Sequence, residues 1–358
     1  MATVACGPRA ILRRLAVALL LAVAMTMLGV AQNAALGARA HAAARLQVGI
    51  ADQDPATFLD PRFRWLGMHA GRLVVPWDVV MRPVDLRHAD DWLKAARANG
   101  ITPLVVFEHS HVRVHVHVLP SVRSYTAAVR AFMHRYEWVR QFSAWNEENH
   151  VSQPTASHPR RAAEYYNSLA VLCRSCRVTA ADVLDEPNMR TWVSSFLRYA
   201  HHPRLWGVHN YYDLNHGGHR QTSLLLRMVR GQIWFSEIGG LVWRYDPTHH
   251  RFINRGEAYA TRAAGRLLAL ARLSGRITRI YYYHWHGHTT LAAARRAHPP
   301  LVTWDSGLLR PNCSPRPAFG VIARVLGRNP ARAPRARRDR YGNCGRPAPV
   351  ATRVPAVG

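Results

Sequence analysis

The chain reads as an α/β protein of the (β/α)8 barrel class, the TIM barrel, and three observations predict it. From Leu46 onward, eight short apolar runs alternate with helix-patterned stretches, as repeated βα units around a parallel sheet require. A length of 358 residues accommodates one such barrel, commonly about 250 residues or more, with additions at its ends. Two of the runs deliver a glutamate at their carboxyl ends, Glu147 after Trp145-Asn146 and Glu237 after Trp234-Phe235-Ser236. Residues so far apart in sequence meet only in a fold that gathers many strand ends at one rim.

The first element lies outside the barrel. Arg9, Arg13 and Arg14 precede the apolar run Leu15 to Val30, which leads into Ala38-Arg39-Ala40 and further small residues. That order of basic, apolar and small segments makes residues 1–40 a Sec-type signal peptide and the protein secreted. The run is short for a membrane span, so an uncleaved anchor is the secondary reading. Cys6 lies upstream of the run rather than at its end, which gives a lipoprotein little support.

A single catalytic domain is expected over 45–327. Its strands are Leu46 to Ile50, Arg72 to Val75, Thr102 to Phe107, Val139 to Ala144, Arg177 to Ala181, Trp206 to His209, Gln232 to Ser236 and Arg279 to His284. Between them fall helices over Asp90 to Asn99, Tyr125 to Tyr136, Arg161 to Cys173, Met189 to Ala200, Thr222 to Val229 and Glu257 to Leu273. Gly100 is placed to end the first of these in a left-handed conformation. The segment 328–358 is rich in Arg and Pro with few large apolar residues, and is expected to be a disordered basic tail.

Export implies an oxidising setting, and the mature chain would keep Cys173, Cys176, Cys313 and Cys344. Local pairing of Cys173 with Cys176 and of Cys313 with Cys344 is the simplest scheme, the second pair tethering the tail. A redox or zinc reading of Cys173-Arg174-Ser175-Cys176 is weaker, because no second closely spaced pair accompanies it.

A formal charge of +27 suggests nucleic acid. Lys94 is the single lysine, however, and the arginines are spread along an alanine-rich chain, which is compositional bias rather than a patch. Specific nucleic-acid binding is not expected. Electrostatic contact with anionic wall polymers or acidic glycans at low salt is.

In a barrel of this class the chemistry sits at the carboxyl ends of the strands. Residues able to reach that rim are Asp52, Arg72, Trp77, Asp78, Glu108, Glu147, Asp182, His209, Tyr211, Glu237, Trp285 and His286. Acids, a guanidinium, imidazoles and aromatic plates suit a sugar, whose hydroxyls need polar partners and whose C–H faces pack on rings. Paired carboxylates on rigid elements suit cleavage of a glycosidic bond, one as proton donor and the other as nucleophile or base.

With these residues in place, the chain resembles the retaining glycoside hydrolases of clan A over roughly Leu46 to Gly327. Asn146-Glu147 looks like that clan's Asn-Glu pair, which implies Glu147 as acid/base and Asn146 as a ligand of the sugar 2-hydroxyl. Glu237 looks like its nucleophile. His209-Asn210-Tyr211 is similar to a His-x-Tyr element whose tyrosine supports the nucleophile. Trp285 resembles the platform beneath the reacting ring, and Arg72 looks like an arginine that supports the nucleophile's charge. Glu148 follows where several of these families carry proline, and Glu147 is preferred over it because adjacent strand residues point to opposite sides. These roles call for a raised pKa on the acid, a carboxyl separation of about 5–5.5 Å and no cofactor. The substrate implied is an oligo- or polysaccharide with β-linkages, and the expected state is a monomer.

Four histidines alternate through His109-Ser110-His111-Val112-Arg113-Val114-His115-Val116-His117, a pattern compatible with a metal. The chain is rich in histidine elsewhere, as at His201-His202 and His249-His250, so no metal site is assigned and a substrate-capping loop is the preferred role. Trp77 and Trp243 are candidate subsite aromatics, though loop tryptophans more often pack beneath their own loop. A non-catalytic carbohydrate-binding or wall-associated barrel, a metal-dependent hydrolase and a transglycosylase are the competing functions. Presence of both glutamates argues against the first.

Overall fold

The computed structural model describes residues 46–297 and 302–339, together with Cys344, Arg346 and Pro347. The expected signal peptide and the end of the basic tail lie outside those residues.

The strands in chain order are β1 (Gln47–Ala51), β2 (Ala70–Pro76), β3 (Thr102–Glu108), β4 (Gln141–Ser143), β5 (Arg177–Thr179) and β6 (Asp182–Leu184). They continue with β7 (Leu205–His209), β8 (Gln232–Ile238), β9 (Trp243–Asp246), β10 (Arg251–Asn254), β11 (Ile277–Tyr283) and β12 (Trp304–Asp305). One parallel sheet runs in the order β5-β4-β3-β2-β1-β11-β8-β7-β6. Its two ends are consecutive pieces of the chain. The expected strand Arg177 to Ala181 breaks at Ala180-Ala181, where the backbone leaves β4 and turns to β7. There the Ala180 N–H donates to the Leu205 carbonyl at 2.7 Å and the Gly207 N–H to the Ala181 carbonyl at 2.8 Å. The ring is thereby closed, and the chain forms the (β/α)8 barrel that its apolar runs predict.

These strands read as nearly continuous apolar runs because both faces are covered. Outward side chains such as Leu73, Val105, Phe142 and Phe235 are buried against helices that carry one apolar stripe. In the helix Pro83–Ala98 that stripe is Ala89, Trp92, Leu93 and Ala96, the i, i+3, i+4, i+7 spacing of one face. The helix begins at a proline well before the expected Asp90, and Gly100 beyond its end has φ 67°, as expected. Inward side chains Leu104, Val106, Leu205, Trp234 and Tyr281 fill the barrel. Arg279 stacks 4.1 Å over the Trp234 ring and bonds Gln141, sealing the amino end. Only the carboxyl end is left for chemistry.

An antiparallel sheet in the order β10-β9-β12 covers part of that end, where the apolar runs predict no strand. Both expected disulfides are present, Cys173–Cys176 with S–S 1.96 Å and Cys313–Cys344 with S–S 2.11 Å. The tail is not uniformly disordered. Pro330–Arg332 form a 3-10 turn, Ala333 packs on the core, and Ala336–Arg337 pair with Arg346–Pro347. The cystine at Cys344 and the apolar contact at Ala333 supply the anchoring that composition did not reveal. Among the described residues, no helix is long and apolar enough to cross a membrane.

Candidate active site

Glu237 lies on β8, where strict alternation would put it outside the barrel. Phe235 pairs with Ile280, and the next pairing joins Ile238 to Tyr282. Two residues of β8 therefore oppose one of β11, a β-bulge at Ser236-Glu237. The extra residue turns both side chains inward. Ser236 donates to Asp182, and Glu237 reaches the rim, its side chain 14% exposed. Arg72 of β2 donates to Glu237 Oε2 at 2.5 Å and the Tyr211 hydroxyl to Oε1 at 2.9 Å.

Glu147 is placed by a turn. It follows β4 with φ 48°, a left-handed conformation that is unusual for a side chain of this size. The two residues after it hold that turn. Glu148, fully buried, accepts the Asp182 N–H at 2.6 Å. Asn149 accepts the Leu184 N–H at 2.8 Å and donates to the Leu184 carbonyl at 3.0 Å, continuing the β4 side of the sheet with an amide side chain. The preference for Glu147 over Glu148 rested on strand alternation. The structure separates them instead by a backbone reversal that sends Glu147 to the cleft and Glu148 beneath it.

Between the carboxylates lies a buried polar layer. Arg72, wholly buried, donates to Asn146 Oδ1 at 2.7 Å and Asp182 Oδ2 at 3.0 Å, and lies 3.2 Å from His209 Nε2. His209 Nδ1 lies 3.1 Å from Glu147 Oε1. Gly207 makes room for this layer, since a Cβ there would fall 1.6 Å from Asp182 Oδ1. One carboxylate oxygen each from Glu147 and Glu237, with one His209 nitrogen, all lie within 4.8 Å of one another.

The electrostatics depart from expectation at one point. Burial alone would lift the Glu147 carboxyl, but its hydrogen bond to His209 and the charges of His209, His150 and Arg72 hold it below the usual value. Burial pushes His209 down, as does Arg72, yet Glu237, Asp182 and Glu147 outweigh them and raise it to about 10. These directions favour a proton on the imidazole over one on the expected acid. Asp182 is buried too, and Arg72 and His209 lower it to about 2. Tyr211 is raised well above its ordinary value by burial and by Glu237, so its hydroxyl remains a donor.

Of the expected site residues, Glu147, Glu237, Arg72, Asn146, His209 and Tyr211 are brought together. Trp285 is not. Its ring is buried against Phe63 and Phe319, its Nε1 donates to Asp60 at 3.1 Å and its N–H to Asp52 at 2.7 Å. Tyr283 on β11 is the aromatic that feels the site; burial and the charges of Glu237, Asp52 and Glu147 raise its hydroxyl. The sequence signal was only its place at the strand end, which Trp285 shares.

Glu108 faces the site, with Oε2 3.5 Å from Asn146 Nδ2. Asp78 accepts from Ser110 and Arg82, Trp77 is half-buried, and His286 is buried beside the Cys313–Cys344 pair. In the histidine segment, His111 is bound to Asp85 at 2.8 Å and Glu108 at 3.1 Å, which raise it to about 9. No cluster with ligand atoms close together draws on that segment among the described residues. Trp243 is buried beneath its own sheet.

Two residues that the sequence reading did not single out hold the helix Tyr211–His216 beside Glu237. Asp185 accepts the Tyr212 and Asp213 N–H groups at 2.8 and 2.7 Å. Asn215 donates to the Tyr211 carbonyl at 2.9 Å and the Gly239 carbonyl at 3.1 Å, and accepts the Leu241 N–H at 2.9 Å. It thereby ties Tyr211 to the chain leaving Glu237. Nothing in local sequence announces it.

No protein-family model matches the chain, and no curated protein matches it by sequence. Solved structures do match. A family 39 glycoside hydrolase from the gut symbiont Bacteroides cellulosilyticus WH2 is 14% identical with a TM-score of 0.55, covering 79% of this chain and 64% of that one. The chain thus spans less than two thirds of that enzyme. A GH10 endoxylanase from a sugarcane soil metagenome is 13% identical with a TM-score of 0.56, covering 79% of this chain and 97% of that one. A GH5_18 protein from Bifidobacterium longum subsp. infantis is 14% identical with a TM-score of 0.56, covering 79% of each chain. These neighbours are clan A glycoside hydrolases, and at such identities the likeness is one of fold.

Proposed function

We propose that the protein is a secreted retaining glycosidase that cleaves a β-linked oligo- or polysaccharide by double displacement, without a cofactor. The observation that carries this reading is the approach of Glu147 and Glu237 oxygens to within 4.8 Å, on opposite sides of one cleft. So close an approach of single oxygens favours the separation of about 5–5.5 Å between carboxyl groups used for covalent catalysis over the roughly 6.5–9.5 Å that leaves room for a water. Glu237, oriented by Arg72 and Tyr211, attacks the anomeric carbon while Glu147 protonates the departing oxygen. Glu147 then takes a proton from the water that hydrolyses the glycosyl ester, and configuration is retained.

The electrostatics support that alternation. Substrate removes water from Glu147, 21% exposed at its side chain, which favours its protonated form and draws the stored proton from His209. Once Glu237 is esterified, its charge no longer raises His209, and the uncompensated Arg72 favours ionised Glu147. The acid of the first step becomes the base of the second. Fold neighbours solved with sugars include a GH5_18 enzyme of Bifidobacterium longum with Manb1-4GlcNAc and xylanase 10B of Thermotoga petrophila with xylobiose, which favours an oligosaccharide in this cleft. The two disulfides are consistent with an extracellular protein.

Azide discriminates the roles. Glu237→Ala should lose several orders of magnitude even with an activated aryl glycoside, and azide should restore turnover with an inverted product. Glu147→Ala should lose little in the first step with that leaving group, and azide should give a retained glycosyl azide. Exchanged stereochemistry would reverse the assignment, and full activity in both variants would end the glycosidase reading.

A further inference from the structure

The β10-β9-β12 sheet has two chemically different faces. Arg244 on β9 lies opposite Ile253 on β10 and Trp304 on β12, and directly opposed residues of an antiparallel ladder share a face. Trp243, next along β9, points the other way, into the protein, where it is buried with Val242, Ala260 and Ala294. Its partner across the ladder, Asp305, is buried there as well, 2.6 Å from Arg316. The face bearing Trp304 is the cleft side. Its ring stands 5.0 Å from that of Tyr211, which bonds Glu237. Trp304 also borders a cavity of about 230 Å3 with Tyr283, Asp52, Gln53, His284 and Thr303, room for a single sugar ring.

Arg244 is half-buried on that face and makes no side-chain hydrogen bond or ion pair among the described residues. No undescribed acid side chain is available to it, because all 21 Asp and Glu residues lie in the described part. Asp246, which feels its charge, is bound to His249 at 2.9 Å. Other arginines near the mouth are paired: Arg72 with Glu237 and Asp182, Arg82 with Asp78, Arg310 with Glu257. A partly desolvated guanidinium that lies opposite Trp304 across the ladder, and whose neighbouring acid Asp246 is already bound to His249, is suited to an anion. The formal charge of +27 would draw polyanions to the whole surface.

We propose that the substrate is an acidic glycan, in which the carboxylate of a uronic acid residue docks on Arg244 while the sugar ring lies against Trp304 and Tyr283. This rests on the glycosidase reading. The planar fork of Arg matches a carboxylate in two parallel hydrogen bonds, a geometry that neither a hydroxymethyl group nor a lysine reproduces.

The test compares β-linked glucuronan and polymannuronate with their carboxyl-reduced forms at 0.15 M salt, using the wild type, Arg244→Ala and Arg130→Ala, the last an exposed arginine on a barrel helix. The wild type should cleave a uronan at least about tenfold more efficiently than its reduced form, and Arg244→Ala should lower that ratio about tenfold or more. Arg130→Ala should leave the ratio where it was. Equal cleavage of both forms, or an equal fall of the ratio in both variants, would overturn the inference while the glycosidase reading stands. Absence of cleavage on any polymer would count against that reading, and binding then decides the inference separately. In calorimetry with Glu237→Gln, preference for uronan oligomers that disappears on adding Arg244→Ala upholds it, and no preference overturns it.

Discussion

Glu237 and Glu147 both follow a barrel strand, yet each reaches the cleft by a different departure from regular structure. A bulge on β8 re-aims Glu237 without breaking the ladder, and two fixed donors, Arg72 and Tyr211, meet its two oxygens. Glu147 stands in a left-handed turn beyond β4 and touches the polar layer through His209 alone. The β8 side is rigid and pre-charged, as a nucleophile requires. The β4 side has only imidazole partners, His209 at 3.1 Å and His150 at 4.0 Å, as suits a group that gains and loses a proton.

Removing the cation shared by both sides should have the largest effect. Arg72→Met leaves Asp182 buried with no guanidinium, at a cost of about 3–5 kcal/mol in stability, and withdraws a donor from Glu237. We expect kcat/KM to fall about a thousandfold, with a lowered unfolding midpoint. Arg72→Lys keeps a charge, and should recover stability more than activity because ammonium cannot reach Glu237, Asn146 and Asp182 together. Equal recovery of both would mean that charge alone, not the fork, organises the β8 side.

His209→Asn tests the β4 side. It removes the cation that holds the Glu147 carboxyl low, so that carboxyl should titrate at higher pH. A general acid works only while protonated; in the wild type the stored proton is lost only as the raised imidazole titrates, whereas in the variant it is lost from Glu147 itself, so the alkaline limb of kcat/KM should move to lower pH. Activity at the optimum should drop about a hundredfold with the loss of proton storage. An unmoved limb in the pH profile would show that His209 does not govern Glu147.

The contrast between the two sides also marks what sequence can convey. Apolar runs such as Leu104 to Phe107 announce barrel strands because burial on both faces demands them, and position at or just after the end of a run places His209 and Tyr211 at the rim, whereas Arg72 opens its expected run and reaches the site from within β2. The bulge that turns Glu237 inward depends on how β8 and β11 pair, a long-range register that no local pattern carries. The reversal at Glu147 depends on Glu148 and Asn149 bonding a strand that comes much later in the chain. Trp285 misled for the same reason: it follows β11 as a mouth residue would, but bonds to Asp52 and Asp60 draw its ring into the core. Trp243 to Asn254 reads as loop because its strands are short and pair beyond the barrel.

Tyr211→Phe removes one of the two donors to Glu237 and little packing. Turnover should fall about tenfold, the lower end for a hydrogen bond to a charged group, with stability within about 1 kcal/mol of wild type. Wild-type kcat would show that the ring only packs against Trp304 and that Arg72 alone serves the nucleophile.

The smallest effect is expected at Glu148, next to Glu147. Burial, with the charge of Asp182 second, raises this carboxyl well above its ordinary value. Glu148→Gln offers an amide of similar shape whose oxygen can still accept the Asp182 N–H, and activity should stay within a few-fold of wild type. The sign of its pH dependence follows from linkage. A carboxyl raised in the folded state stabilises fully below its unfolded pKa, and that contribution is lost as pH rises toward the folded value. Glutamine has no proton to lose, so denaturant unfolding of the variant should depend less on pH above about 4.3, the ordinary glutamate value. Glu147→Gln should do the reverse, sparing stability while removing the proton donor. Retained activity in Glu147→Gln together with collapse in Glu148→Gln would exchange the two residues, and the turn at Glu147 would then be a structural feature rather than the one that presents the acid.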